Sequence, residues 1–364
     1  MNFDTAISPE SLRRAYEPAL RSRSPIVVAL AMVYREHRVL LCLTLGYIAS
    51  GGLILTALGR PWPIAFVNRW FALVWIGMST LWLGSLYLRR PRQLRQALSR
   101  RRLLSAIVVP FLLVPTQITF QALKQSMAPV IGFHADPLLH RIDVMLHRGM
   151  AWTWFEPLLM NPSWVRALDL LYISWFGLLF VFMFWASWSS RQLLRQRALV
   201  ALLLVWIGAG TVTAWVASSA GPCYYQHVVS AADPYAPLLN RLDAIGAEGG
   251  ALMARLNQTG LWEFHRQDRW TYFGGISAMP GLHVGIAVLF AVVALQRSKP
   301  LGVLLILYAV SIQVGSVVLA WHYAVDGYLG AVLALVCWRV AGALTRQPTL
   351  ADRVRGRSGG EYRP

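Results

Sequence analysis

The sequence predicts an all-α, polytopic membrane helical bundle of about eight transmembrane helices with a cap on one face, and three observations predict it. The 364-residue chain is 56% hydrophobic and only 14% charged, against roughly 25% charged in ordinary soluble domains. Several runs of about 20 residues carry no charge, enough to cross a ~30 Å hydrocarbon core as helix. The basic residues cluster between those runs, so the net charge of +18 reads as loop orientation and not as a nucleic-acid surface.

In chain order, the first 24 residues are polar and Arg-rich without a signal-like apolar core, so the first span is expected to direct insertion itself. Residues 25–34 are apolar but too short to cross and are expected to lie in the interface. Spans follow near residues 39–58, 70–88, 103–123, 170–189, 198–219, 281–296, 301–321 and 324–344. Between the third and fourth, Leu138, Leu139, Ile142, Met145 and Leu146 recur at helical spacing opposite His140, Asp143, His147 and Arg148, the pattern of an amphipathic helix on or dipping into the interface.

Cys42, Cys223 and Cys337 have no paired or metal-type spacing, so no disulfide framework or zinc site follows. The chain divides into a cytoplasmic N-terminal segment with the interfacial helix (1–38), three membrane helices (39–123), an outer amphipathic loop (124–169), a catalytic membrane core (170–344) with an outer loop (221–280), and a cytoplasmic tail (345–364).

Lys and Arg are enriched in loops retained in the cytoplasm. With both termini inside, 24 of the 34 basic residues fall in inner segments and 10 in outer ones. The two long connections, residues 124–169 and 221–280, then lie on the non-cytoplasmic side, where a substrate-handling cap is expected. The basic residues are 32 Arg and two Lys, a usage that suggests a GC-rich genome and a bacterial inner membrane.

Two motifs carry chemistry. Gly274-Gly275-Ile276-Ser277-Ala278-Met279-Pro280-Gly281-Leu282-His283 runs into the sixth span. Small residues and a proline in the first turn describe a helix start, whose free N–H groups and positive dipole end can hold a phosphate beside His283. Trp321-His322-Tyr323-Ala324-Val325-Asp326-Gly327 lies where the seventh span gives way to the eighth. If a helix begins there, His322 and Asp326 share a face, and the carboxylate can fix the imidazole tautomer and stabilise the imidazolium. Both motifs sit at outer ends of consecutive apolar segments, and ionisable residues at that depth are costly enough to mark function. A shared active site is the expectation.

Ser277 to His283 followed by His322-Tyr323-Ala324-Val325-Asp326 resembles the second and third motifs of the type-2 phosphatidic acid phosphatase superfamily. The closer resemblance is to the branch of inositol phosphorylceramide synthases (the aureobasidin-resistance type) and sphingomyelin synthases, with its H-Y-x-x-D third motif. Specific likeness covers about residues 274–330, with weaker likeness in 124–159 and in Gly221-Pro222-Cys223-Tyr224-Tyr225. The resemblance implies a helical membrane core in which His322 attacks phosphorus and becomes a phosphohistidine. Asp326 orients His322, and His283 protonates the departing alcohol and then activates the second alcohol or water. It implies no metal or organic cofactor, and membrane lipids as partners: a phospholipid or polyprenyl phosphate donor, and a lipid alcohol or water as acceptor.

The chain departs from the phosphatase pattern in three places. Of its K-x6-R-P first motif only Lys124 can match, because Ile131 stands where Arg is expected. Gly281 replaces the serine of P-S-x-H, leaving a backbone N–H in place of the hydroxyl. Ser316 stands where an Arg six residues before His322 is expected. A phosphodiester carries less charge than a monoester and needs fewer cationic contacts, so head-group transfer fits these losses better than monoester hydrolysis.

The phosphate-binding candidates are Ser277, Gly281, Lys124, Arg148, Arg266 and Arg269. Lys124 reads first as a snorkelling anchor and, in the functional reading, as a phosphate clamp. The spacing of His140, Asp143 and His147 also admits a metal site, with the polar face of an interfacial helix the preferred meaning and no metal expected. Three readings remain open: a lipid phosphotransferase at the non-cytoplasmic face, a lipid phosphate phosphatase acting on phosphatidate or polyprenyl phosphate, and a non-catalytic lipid transporter or scaffold.

Overall fold

A computed structural model describes residues 25–63, 69–229, 232–272 and 274–346. The N-terminal 24 residues and the tail beyond 346, which contribute to the charge count, lie outside the described residues.

Among the described residues all regular structure is helical. The principal helices are α1 (Pro25–Ala57), α2 (Arg69–Arg89), α3 (Arg100–Ile131), α4 (Asp136–His147), α5 (Pro162–Trp188) and α6 (Gln192–Val216). They continue with α7 (Ala236–Gly249), α8 (Met253–Arg266), α9 (Leu282–Leu295), α10 (Lys299–Val318) and α11 (Ala324–Leu344). Six of these, within α1, α3, α5, α6, α10 and α11, are long and apolar enough to cross a membrane, so the chain is a multi-pass membrane protein.

The remaining two expected spans are helical as well. Helix α2 covers 21 residues, whereas α9 has 14, about 21 Å at 1.5 Å per residue and short of the ~30 Å core. Nine residues of α9 are buried, and it packs chiefly on α10 and α11. It is the central helix of the bundle.

Three boundaries differ from the sequence expectation, each for a local reason. Residues 25–34 are not a separate interfacial piece: α1 runs unbroken for 33 residues because no Gly or Pro interrupts Ile26 to Leu45. Its mid-helix polar pair is satisfied inside the protein, Glu36 by an ion pair with Arg195 and His37 by Ser105 at 3.0 Å. Helix α3 continues to Ile131 through Pro110, Pro115 and Pro129 and stops at Gly132 with φ +68°, prolines being tolerated where neighbouring helices enclose the freed carbonyls. Helix α5 starts early because Asn161 caps it, accepting the Ser163 N–H at 3.0 Å, with Pro162 in the first turn.

Helix α6 widens to π geometry over Val205–Thr213. Gly210 there lets Phe120 and the α9 residue Leu282 approach its backbone, which ties the π segment to the helix that carries His283.

Helix α4 is amphipathic as its periodicity predicts, and its polar face is the one turned into the protein. Asp136, Asp143 and His147 are buried, while Leu138, Met145 and Leu146 are 52, 75 and 57% exposed. Beside a bilayer the apolar face is the one that can stay outside, and the polar face must find partners in the protein.

Candidate active site

Helix α9 begins at Leu282 with Gly281 as its N-cap, so Pro280 stands just before the helix and not in its first turn. The first turn of α9 contains no acidic residue and no side-chain cap. In the irregular lead-in, Gly275 at φ +85° allows the chain to press on Lys124 and Gln125 of α3. Ala278 donates its N–H to Ser219 O at 2.9 Å. Ser277 is half-buried, its hydroxyl 3.4 Å from Met279 O.

His322 lies before α11 and not within it. Ser316 O accepts both the Trp321 and His322 N–H groups, at 2.9 and 3.0 Å, and Ala320 turns the chain at φ +60°. Asp326 is the third residue of α11 and accepts the Tyr323 N–H at 3.1 Å. Its Oδ2 faces His322 Nδ1 at 3.4 Å, with His322 6% and Asp326 0% exposed. That separation exceeds an ordinary N–H···O bond, and contacts of this kind often tighten only when substrate is bound.

The two motifs meet. The His283 and His322 rings are 6.3 Å apart between centroids. A glycine seam brings them together: a Cβ on Gly281 would lie 2.9 Å from Gly327 Cα, and one on Gly285 would lie 2.7 Å from Gly330 O. Backbone therefore touches backbone between α9 and α11. The Gly281 N–H donates to Asp326 O at 2.8 Å, so it is not the free phosphate donor that the sequence suggested. Gly285 bonds back to Gly281 O, which leaves the Leu282, His283 and Val284 amides without intrahelical acceptors.

His283 is held by aromatic rings that sequence reasoning missed. Tyr172 stacks on it at 4.9 Å between centroids, Trp175 approaches to 4.4 Å and Phe176 to 5.8 Å. Trp175 Nε1 also donates to the His283 carbonyl at 3.0 Å. All three rings belong to α5, where the only available signal was aromatic content in an apolar span. Trp321 continues the stack beyond Tyr172. Gly221, at φ +95°, packs on the Trp321 carbonyl and Ala278, which places the flagged Gly221–Tyr225 stretch against both motifs.

The cationic candidates separate. Lys124 lies within two turns of the end of α3, contacts Gly275, and is within electrostatic reach of His283. With Arg60, His265, Asp268, Arg269 and Trp270 it lines a cleft beside the second motif. In that cleft Arg60 grips Asp268 and holds its carboxyl below the usual carboxylate range. Arg269 is exposed on the rim, 5.8 Å over the Phe264 ring. Arg266 is exposed and pairs with Glu263 at 3.5 Å. Arg148 is the exposed left-handed residue that ends α4. None of these arginines is bonded to a motif residue among the described residues.

Asp143 and His147 point toward α11. Asp143 Oδ1 accepts the Val325 N–H at 3.0 Å, and His147 Nε2 meets Tyr328 OH at 2.9 Å. Burial raises the Asp143 carboxyl above its ordinary range, the Val325 amide pulling it back, while burial lowers the His140 imidazole against the pull of Asp143. No group of three or more His, Cys, Asp or Glu suited to a metal occurs among the described residues.

A helical membrane core with paired motif histidines, one backed by a carboxylate, defines a class of lipid-phosphate enzymes. The model of the PAP2 superfamily matches residues 137–340, more than half of the chain, and the chain belongs to that superfamily of lipid phosphatases and phosphotransferases. The matched region begins within α4 and ends within α11, so Lys124 lies ahead of it. No curated protein and no solved structure matches the chain.

Proposed function

We propose that the chain is a membrane-embedded phosphotransferase that moves a phosphoryl head group between lipids through a phosphohistidine on His322. The observation that carries this reading is the 6.3 Å separation of the two motif rings, with Asp326 behind His322 alone.

With Nδ1 turned to Asp326, the attacking atom is His322 Nε2. A phosphorus atom placed about 3 Å from Nε2 leaves its departing oxygen within reach of His283 on the far side. Nε2 forms the N–P bond as the P–O bond to the leaving lipid breaks, and His283 gives that oxygen its proton. In the second half His283, now neutral, takes the proton of the incoming alcohol, whose oxygen attacks phosphorus and releases Nε2. Asp326 holds the tautomer and offsets the imidazolium charge.

Charge guides where the phosphoryl oxygens rest. The first turn of α11 already holds Asp326 and receives Asp143 at Val325, whereas the first turn of α9 is free of carboxylates. An anion is repelled from the former and held by the Leu282 and His283 amides of the latter. Lys124 supplies the nearby positive charge.

Two features favour an alcohol over water as acceptor. Ser316 spends its carbonyl on positioning His322 and its hydroxyl on Gln313 O at 2.7 Å, so the site has no substitute there for the arginine of the phosphatase pattern. Tyr172, Trp175 and Phe176 surround His283 with apolar surface that excludes water. The loop charge count supports a non-cytoplasmic site, the Arg-rich, Lys-poor usage supports a bacterial inner membrane, and the H-Y-x-x-D motif supports kinship with the inositol phosphorylceramide and sphingomyelin synthases.

The test supplies head-group-labelled phospholipid with and without ceramide or diacylglycerol. Label appearing in a new lipid only when acceptor is present is the expected result. Release of the labelled group at the same rate without acceptor favours the hydrolase instead, and lipid translocation unaffected by His322→Ala favours a transporter.

A further inference from the structure

Helix α4 directs three of its inward polar side chains, Asp136, Asp143 and His147, at the segment that follows His322. Asp136 Oδ1 accepts the Tyr323 hydroxyl at 2.9 Å and also binds Ser219 Oγ and the Gly221 N–H, while Oδ2 takes the Ala220 N–H. His140 Nδ1 meets Tyr235 OH at 2.9 Å, and the Tyr235 ring packs edge-on against Tyr323. Asp143 caps Val325, and His147 reaches Tyr328 one turn further along α11.

The contacted residues, 323, 325 and 328, directly follow His322 and flank Asp326 without including either. Burying a carboxylate is costly unless its oxygens are bonded, and α4 buries two, Asp136 at 0% and Asp143 at 4% exposure. A helix needed only for packing would meet α11 with apolar residues at less cost. Of its own apolar residues Leu139 is buried, while Leu138, Ile142, Met145 and Leu146 are turned outward.

We propose that α4 is a splint for the nucleophile, with Asp136 and Asp143 as positioning residues that fix the first turn of α11 and so the direction of His322 Nε2. The inference rests on the reading of His322 as nucleophile. Asp136 holds the residue after His322 through its side chain, and Asp143 holds the residue before Asp326 through its backbone. Rotation of the first turn, which would separate the imidazole from its carboxylate, is opposed at both points. Neither aspartate touches the reacting atoms.

Orthovanadate tests this without knowledge of the lipid, because it adopts the five-coordinate geometry of phosphoryl transfer on a nucleophilic nitrogen. Its dissociation constant is measured on detergent-solubilised full-length protein, with the melting temperature of each variant recorded in parallel. Asp143→Ala is expected to weaken vanadate at least tenfold. Asp143→Asn, which keeps an oxygen for the Val325 N–H, is expected to stay within threefold of the unaltered protein. Tyr323→Phe removes only the hydroxyl held by Asp136, keeps the ring, and is expected to weaken vanadate three- to tenfold.

Asp143→Ala and Tyr323→Phe binding vanadate with unaltered affinity would overturn the splint, as would loss in Asp143→Asn equal to that in Asp143→Ala. If Asp143→Ala does not fold, Tyr323→Phe decides alone. Failure of the underlying reading looks different: His322→Ala would then bind vanadate as well as the unaltered protein, or the unaltered protein would not bind it at all.

Discussion

His322 stands among carboxylates and hydrogen bonds, whereas His283, its partner across the site, stands among aromatic rings. The first is fixed through Asp326, through Ser316 O and, one and three residues on, through Asp136 and Asp143. The second is stacked on Tyr172 and wedged by Trp175 and Phe176. A group that forms a bond to phosphorus needs a defined tautomer and direction, which charged hydrogen-bond partners provide. A group that gives and then takes a proton needs a surrounding that keeps stray water out, which stacked rings provide.

The largest expected effect separates the two roles by leaving group. Under the proposed reaction, His322→Ala should lower turnover by about 10³-fold or more with any substrate, because it removes the proposed nucleophile. His283→Ala should lower turnover of a lipid phosphodiester by roughly 10²–10⁴-fold, but should do far less with a p-nitrophenyl ester, whose leaving group needs no proton. Equal losses on both substrates for His283→Ala would erase the distinction. Rates on the two substrates for each variant are the measurement.

A smaller effect probes the seam that holds the two surroundings together. Gly285→Ala places a methyl against Gly330 O, and overpacking of this kind typically costs about 1–3 kcal/mol. The melting temperature should fall and turnover should drop with both substrates, since the relation between the histidines changes and neither chemistry does. A thermal melt and the same pair of assays check this.

The smallest effect is on stability and depends on pH. Burial raises the Asp143 carboxyl in the folded state, so the charged form is disfavoured by folding. Its contribution is fully favourable below the unfolded carboxylate pKa of about 3.9 and is lost as pH rises through the higher folded value. Asp143→Asn should therefore raise the melting temperature near neutral pH, and the gain should shrink as pH falls toward 4. Melts across that range measure it, and a gain that grows on acidification would contradict the assignment.

Much of this was legible in the sequence, and the missing parts have physical reasons. Both histidine motifs are local patterns at the ends of apolar runs, and the structure brings His283, His322 and Asp326 together as those patterns imply. Tyr172, Trp175 and Asp136 escaped because they reach the motifs from 108 to 187 residues away, and in an apolar span a ring that packs a helix looks like one that packs a catalyst. The periodicity of α4 correctly marked two faces. It could not say which partners the polar face meets, since those lie on distant segments of the chain. Glycine at 281 was legible as a departure from serine, but that its amide would be bonded to Asp326 O was not.

The glycine seam has a consequence for how such a site can change. Because main chain meets main chain between α9 and α11, the span between the backbones that carry the two histidine motifs is a property of the scaffold. The ring wall contributed by α5 stands outside that gauge. Under the proposed reaction, substitution in the wall can retune which acceptor enters, from a bulky lipid alcohol to water, while the span between the two motifs stays constant.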